Sequence, residues 1–430
     1  MINDLLEIEN PFKGLSQKTK GDRYIWASVA LLALVSLLVV YSATGSLAYK
    51  MNHGNTEVYL FKQIVFIILG LGVIYFLHRV NYSLYSKIAL ICYAISIPLL
   101  FYTLFFGAEI NDGSRWIKLP IINMTFQTSD FAKLALFMFM SRQLSRKQKV
   151  IKDFKKGFLP VFIPAALTCL LIFPANLSNG LLTGATALML MFIGRVSLKH
   201  IGMVILVALI PVALLIASAV IHHSATTDSQ GHQIETVEGS GGGIFKRFST
   251  WRSRVENFIY SDNTEVPYQV KQAKIAIANG NVLFGLGPGN SRQRNYLPQA
   301  YNDFIFSIII EEYGLLGGAF IIFIYLVFLF RCIRIFRKCP FAFGAFLALA
   351  LSFTLIIQAL ANMAVNVNLM PVTGVTLPLI SMGGSSFLFT CASIGIILSV
   401  ACNVEKMEGK QLAVPSEATP VKEKLKAAAL

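Results

Sequence analysis

Four groups of residues in this chain carry chemistry that an apolar sequence does not hold without cause. The first is Asp303, at the start of a long apolar run, with Glu311 and Glu312 inside that run. Ionisable groups in such runs are costly and usually functional. An aspartate at a membrane–water boundary can act as a general base; at a helix start it can also serve only as a cap. Glu311 lies about 12 Å deeper on a helix rising about 1.5 Å per residue. The two glutamates read as functional acids or as structural carboxylates bonded to neighbouring helices.

The second group is Asp130 and Lys133, which at i,i+3 can neutralise one another. The preceding loop holds Gly113-Ser114-Arg115-Trp116-Ile117. Arg115 is a natural anion binder, and Trp116 suits an interfacial aromatic belt. The third is Gly285-Leu286-Gly287-Pro288-Gly289-Asn290-Ser291. It is either a tight loop whose amides meet a phosphate or a plain reverse turn. No βαβ unit frames it, so a dinucleotide fingerprint is excluded. In the fourth, Pro371, Gly374, Pro378, Gly383 and Gly384 interrupt an otherwise apolar stretch. Such breaks are tolerated at membrane depth only where backbone is buried or lines a cavity, which predicts a broken element facing a polar cavity. His222 and His223 lack partners at metal spacing, and no zinc site is expected.

The elements that must position these groups are membrane helices. Of 430 residues, 55% are hydrophobic and 14% charged, with mean hydropathy +0.63. A soluble chain this apolar lacks the polar residues to cover itself. Apolar runs at 24–44, 58–78, 86–106, 128–142, 157–174, 179–196, 199–221, 304–330, 341–363 and 380–402 predict an all-α polytopic protein of about ten transmembrane helices. The fourth, fifth and sixth are short or polar. A β-barrel is excluded, because the runs are continuous rather than alternating. The net charge of 37 − 22 = +15 reflects loop lysines and arginines, not nucleic-acid binding. Basic residues at 1–23, 142–156, 331–338 and 422–426 place both termini in the cytoplasm. No cleavable signal peptide is visible. The six cysteines lie in or beside apolar runs, so no disulfide framework is expected.

Three domains follow: a cytoplasmic segment 1–23, a membrane domain 24–402 and a disordered cytoplasmic tail 403–430. The membrane domain carries a large extracytoplasmic loop, 222–302, between the seventh and eighth helices. Its start, 222–243, reads as flexible. Ile244, Phe248, Trp251, Val255 and Phe258 then recur at helical spacing. The basic helix they define lies on the bilayer surface or packs on the protein itself. A second helix is predicted from Pro267 to Ala278, stopped by Gly280.

Together these blocks resemble the SEDS family (shape, elongation, division and sporulation), polytopic glycosyltransferases that polymerise peptidoglycan. The resemblance runs from Tyr41-Ser42-Ala43 to the last span. It includes Ser114-Arg115-Trp116-Ile117, Phe126-Gln127 through Lys133-Leu134, Gly285 through Ser291, Leu297-Pro298, Asp303-Phe304-Ile305-Phe306, Glu311-Glu312 with Gly314, and Pro371 through Ser386. The Gly-Pro-Gly-Asn-Ser form is similar to the division-type branch, FtsW, rather than the elongation-type RodA. There are departures. Thr128-Ser129-Asp130 stands where the family has Pro-Ser-Glu. Asn176 stands for a usual Asp, and Gln299 and Tyr301 for Glu and His, which puts a catalytic part for these three in doubt.

The resemblance implies polymerisation of lipid II into glycan strands at the outer face of the bacterial cytoplasmic membrane, at the division septum. Asp303 would be the general base. Arg115, Trp116, Gln127, Asp130, Lys133, Ser291, Glu311, Glu312 and Ser385 would bind substrate, with Arg115 and Lys133 facing the pyrophosphate. A divalent cation, Mg²⁺ or Mn²⁺, is expected there, with no protein ligands assigned. Partners would be lipid II, a class B penicillin-binding protein transpeptidase and other division proteins. The alternatives are a lipid II flippase and a non-catalytic scaffold.

Overall fold

Asp22 accepts a hydrogen bond from the Tyr24 amide at 2.9 Å and so starts α1 (Arg23–Ala43), a favoured use of Asp at a helix start. A short α2 (Gly45–Met51) and α3 (Glu57–Leu77) follow. Asn81 caps α4 (Tyr82–Phe106) in the same way. The computed structural model describes residues 21–51, 55–110, 113–119, 124–226, 244–259, 267–280 and 283–413. The expected cytoplasmic segment before residue 21 therefore lies outside the described residues.

The expected loop between the third and fourth spans contains a three-stranded antiparallel sheet in the order β1 (Ala108–Ile110), β2 (Gly113–Leu119), β3 (Met124–Gln127). Trp116 pairs with Gln127 across β2 and β3. This sheet leads straight into α5 (Thr128–Arg146), then α6 (Leu159–Ile172), α7 (Leu177–Ile193) and α8 (Leu198–Thr226). Next come α9 (Ile244–Ile259), α10 (Tyr268–Asn279), α11 (Ile305–Lys338), α12 (Ala342–Asn366) and α13 (Gly384–Ala413).

Each of the ten apolar runs holds a helix, and among the described residues eight helical stretches are long and apolar enough to cross a membrane, α6 being so only together with the π-helical turn Phe154–Phe158 that leads into it. The two that fall short are α5 and α7. Helix α7 has only 17 residues, and α5 carries Asp130, Lys133, Arg142 and Arg146. Most of α5 is buried among other helices, which relieves it of presenting an apolar surface to lipid.

Two boundaries differ from expectation. Helix α8 runs on through His222 and His223 to Thr226, so the outer loop starts later than 222; the segment 227–243 lies outside the described residues. Helix α13 continues to Ala413, so 403–413 is not a disordered tail, and 414–430 lies outside the described residues. Gly280 does end α10, as predicted.

Helix α12 is the hub, with 83% of its apolar window buried, whereas α8 lies at the periphery with 11%. A polar side chain on α12 must therefore find its partners inside the protein. At one end of the bundle, Arg331 pairs with Asp22 at 2.5 Å, stacks on Tyr24, and the Gly21 amide bonds Glu405. The sheet, the glycine-rich run and the broken 367–383 segment gather at the other end, called here the hairpin end. Helix α11 is broken at Gly314, whose φ of 69° and ψ of −171° are open to glycine and strained for other residues.

Candidate active site

Asp303 occupies the turn before α11 at a half-buried position. The helix begins at Ile305 with Phe304 as its N-cap and no side-chain capping bond. Phe304, not Asp303, thus stands at the N-cap position. What is held is its main chain: the Asp303 carbonyl accepts from Asn362 Nδ2 at 2.8 Å and from Asn366 Nδ2 at 2.9 Å. Asn362 Nδ2 also donates to the Val375 carbonyl at 2.7 Å, and Gln358 Nε2 to that of Thr376 at 3.0 Å. Residues four apart share a helix face, so Gln358, Asn362 and Asn366 form one polar edge on α12.

That edge fastens the broken segment. Ser381 Oγ donates to the Asn302 carbonyl at 2.6 Å and accepts from the Leu377 amide at 2.8 Å. The Met382 amide donates to the Tyr301 carbonyl at 3.0 Å. The Asp303 carboxylate then faces Gly374, where an added Cβ would stand 3.6 Å from Oδ2. Gln299 and Leu379 take left-handed conformations, φ 59° and 63°. Each costs about 1–3 kcal/mol, a kind of strain that gathers at functional segments. Burial pushes the Tyr301 phenol above its usual range, with smaller contributions from Tyr59 and Asp303. The predicted broken element is thus present, and it packs against the predicted base.

The second cluster lies at the start of α5. Lys133 Nζ is 2.8 Å from Asp130 Oδ1 and 3.0 Å from Asn179 Oδ1. Asn179 Nδ2 and Gln127 Nε2 both donate to Ser129 Oγ, at 3.2 and 3.0 Å. The Gln127 amide donates to Ser385 Oγ at 3.1 Å, which joins β3 to α13. Four expected binding residues, Gln127, Asp130, Lys133 and Ser385, thus stand in one bonded group. Asp130, Lys133, Thr354, Gln358, Ser386 and Thr390 line a cavity among α5, α12 and α13. Asp130 Oδ2 is buried there without a hydrogen-bond partner. Gln358 connects this cavity to the Asp303 cluster. Asn176 caps α7 by accepting from the Asn179 amide at 3.2 Å, a task Asn performs as well as the usual Asp. Trp116 lies in β2, half-buried; Arg115 precedes it, and its side chain lies outside the described residues.

Glu311 does something different. Fully buried, it accepts from Ser291 Oγ, from the amides of Arg292 and Gln293 at 3.2 Å each, and from Asn279 Nδ2 at 3.4 Å. The Leu286 and Gly287 amides bond the carbonyls of Glu311 and Glu312 at 2.9 and 3.0 Å. The glycine-rich run is therefore a collar wrapped on α11. A Cβ at Gly285 would fall 2.3 Å from the Glu312 carbonyl carbon, so glycine is required there for close approach. Glu312 accepts from Ser42 Oγ of α1, and Arg294 Nη1 reaches the same hydroxyl at 3.3 Å. Ser291, Glu311 and Glu312 are brought together here as a buried brace, apart from the bonded group on α5.

The basic amphipathic helix α9 packs against α8, and Arg254 donates to the Val372 carbonyl at 3.2 Å. Packing on the protein, rather than on the bilayer alone, is the outcome. Phe248 and Phe258 stay exposed.

A model of the FtsW/RodA/SpoVE family, described as cell cycle proteins, matches residues 22–406. The chain belongs to this family. It is 31% identical over 393 residues to the probable peptidoglycan glycosyltransferase FtsW of Hydrogenovibrio crunogenus, covering 90% of this chain and 92% of that one. It is 30% identical to the stage V sporulation protein E of Bacillus subtilis, covering 90% and 98%. Two solved structures share the fold. One, described as showing structural coordination of polymerization and crosslinking by a peptidoglycan synthase complex, gives a TM-score of 0.67 at 24% identity, covering 89% of this chain and 98% of that one. The rod shape determining protein RodA of Thermus thermophilus gives 0.60 at 22%, covering 89% and 96%. The family and the apolar helices make this a multi-pass protein of the cytoplasmic membrane.

Among the described residues, no three His, Cys, Asp or Glu side chains gather to hold a metal ion. The amides Gln358, Asn362 and Asn179 escaped the sequence reading, whereas Asn366 was met there only as the first residue of the broken stretch. Their only signal was spacing by four within an apolar helix, and Asn179 lacked even that.

Proposed function

We propose that the protein polymerises lipid II into glycan strands at the outer face of the cytoplasmic membrane during septal wall synthesis. The hairpin end then faces outward and both termini lie in the cytoplasm, in keeping with the lysines and arginines of the opposite end. The observation that carries the reading is Asp303: a half-buried carboxylate facing Gly374, with its main chain pinned from α12.

In the reaction, the 4-hydroxyl of the incoming lipid II attacks C1 of the glycan held on undecaprenyl pyrophosphate. The bond from C1 to the pyrophosphate oxygen breaks, and the proton passes to Asp303. A pyrophosphate leaves readily, so one base suffices where glycosidases need two carboxyl groups. Arg115 and Lys133 would answer the charge of the leaving group. Lys133 is already committed to Asp130 and Asn179, so it would act as part of that group rather than as a loose cation. A Mg²⁺ or Mn²⁺ ion would have to be carried chiefly by the pyrophosphate, and no step is routed through it. A class B penicillin-binding protein is the expected partner, since the similar synthase complex couples polymerization with crosslinking; other division proteins would recruit the pair to the septum.

The test is polymerisation of lipid II by purified protein, with and without such a transpeptidase, for wild type and Asp303→Asn. Undiminished glycan chains from a stable Asp303→Asn protein would refute the assignment. Movement of labelled lipid II without polymerisation would favour the transporter instead.

A further inference from the structure

We propose that Asn362 and Asn366 are positioning residues for the transfer reaction, holding the turn that bears Asp303 and the broken segment facing it in one geometry. The proposal rests on the reading of Asp303 as the base.

The orientation of both amides is decided by their neighbours. Asn362 Nδ2 lies 2.8 Å from the Asp303 carbonyl and 2.7 Å from that of Val375. Both neighbours can only accept, so the amide must turn its two N–H groups toward them. Asn366 Oδ1 accepts from the Ser307 amide at 3.0 Å and from Ser307 Oγ at 2.7 Å. A backbone amide can only donate, so the Asn366 NH₂ points away from it, onto the Asp303 carbonyl at 2.9 Å. The remaining donor of Asn366 meets the Asn362 carbonyl at 2.9 Å. Each residue is 1% exposed, so water does not compete for these bonds.

The targets distinguish positioning from ordinary packing. Helix α12 needs no amide for its own hydrogen bonding, and leucine would satisfy its buried environment. Both amides instead act on the Asp303 carbonyl, and one continues to Val375, the residue after Gly374. The carboxylate and the wall it faces are thereby referenced to one rigid helix. A misplacement of about 1 Å in a reacting group can cost on the order of 10²-fold in rate.

The experiment is steady-state polymerisation of lipid II by purified protein, with thermal stability followed in parallel. Variants are Asn362→Leu, Asn366→Leu and Ser307→Ala, each in wild-type and Asp303→Asn backgrounds. Asn362→Leu is expected to lower kcat by roughly ten- to a hundredfold with KM for lipid II unchanged. Ser307→Ala, which keeps both amides but loosens Asn366, should lower it by less. In the Asp303→Asn background the residual rate should not fall further, because the group being positioned is gone. Wild-type kcat in stable Asn362→Leu and Asn366→Leu proteins would overturn the proposal. So would an equal proportional loss in both backgrounds, the mark of a general structural effect. If Asn362→Leu does not fold, Ser307→Ala decides, and an unchanged kcat there overturns the proposal. A fully active Asp303→Asn protein would instead remove the base, a separable result.

Discussion

Asp303 and Glu311 are two acids on one helix and its leading turn, and the protein treats them in opposite ways. At Asp303 the main chain is tied, by two amides from α12, and the carboxylate faces Gly374. At Glu311 the carboxylate itself is tied, by a serine hydroxyl, two backbone amides and an asparagine. The first arrangement sets a carboxyl group at a half-buried boundary. The second uses a charged group to hold a loop. Burial alone would rank Glu311 as the more suspicious residue; the bonds its carboxylate makes to the glycine-rich run read instead as structural.

Substitutions sharpen the contrast, starting from the largest effect. Asp303→Asn should reduce polymerisation by about 10²–10⁴-fold, the usual contribution of a positioned base. Its melting temperature should stay near that of wild type, because the carbonyl gripped by Asn362 and Asn366 is unchanged and Asn caps a helix start as well as Asp. A large fall in stability would erase the distinction drawn here.

Lys133→Met tests an acid answered by a single cation. It strands Asp130 as a buried charge, a defect of about 3–5 kcal/mol. Thermal denaturation in detergent should show that loss, and Asp130→Asn in the same chain should recover part of it. No recovery would mean that Lys133 acts through something other than Asp130.

Glu311→Gln should behave as a stability variant. The Gln amide offers one acceptor where two oxygens served, and a buried donor left unpaired costs about 1–3 kcal/mol. Activity per folded molecule should be retained, and limited proteolysis should cut sooner within 285–296. A stable Glu311→Gln protein with no activity would move the base to Glu311.

The smallest effect belongs to the opposite end. Arg331→Lys gives up the paired contact with Asp22 and the stacking on Tyr24, and arginine's fork is not reproduced by lysine. Because the charge survives, this should cost less than the roughly 3–5 kcal/mol of a buried charge that loses its partner and leave glycan length unchanged. A loss of polymerisation would show that the two ends of the bundle communicate.

Much of this was legible before any fold was known. The apolar runs located the helices, because a bilayer-crossing helix needs about 20 such residues. Pro371, Gly374 and Pro378 announced a broken element for the same reason. Asp303 stood out by its place at a run's edge. The glycine-rich run was located correctly, but its role was not: Gly285 and Gly314 serve close backbone approach to a helix, and nothing local reveals which helix a loop will wrap. The sheet at 108–127 was missed because its strands are short and lack clean alternation, the signal that marks a half-buried strand. Asn362 was missed, and the role of Asn366 with it, because an asparagine in an apolar helix reads only as a weak helix former. Their partners are carbonyl oxygens far away in the chain, and a carbonyl has no sequence signature.

That last point has a consequence for how the site tolerates change. The amides of Asn362 and Asn366 recognise oxygens that every residue type supplies. Positions 303 and 375 can therefore exchange side chains during evolution without losing their hold on α12. The scaffold is insulated from the chemistry it carries. A lineage could alter the reactive group, or the wall beside it, by one mutation at a time and keep a folded protein at each step.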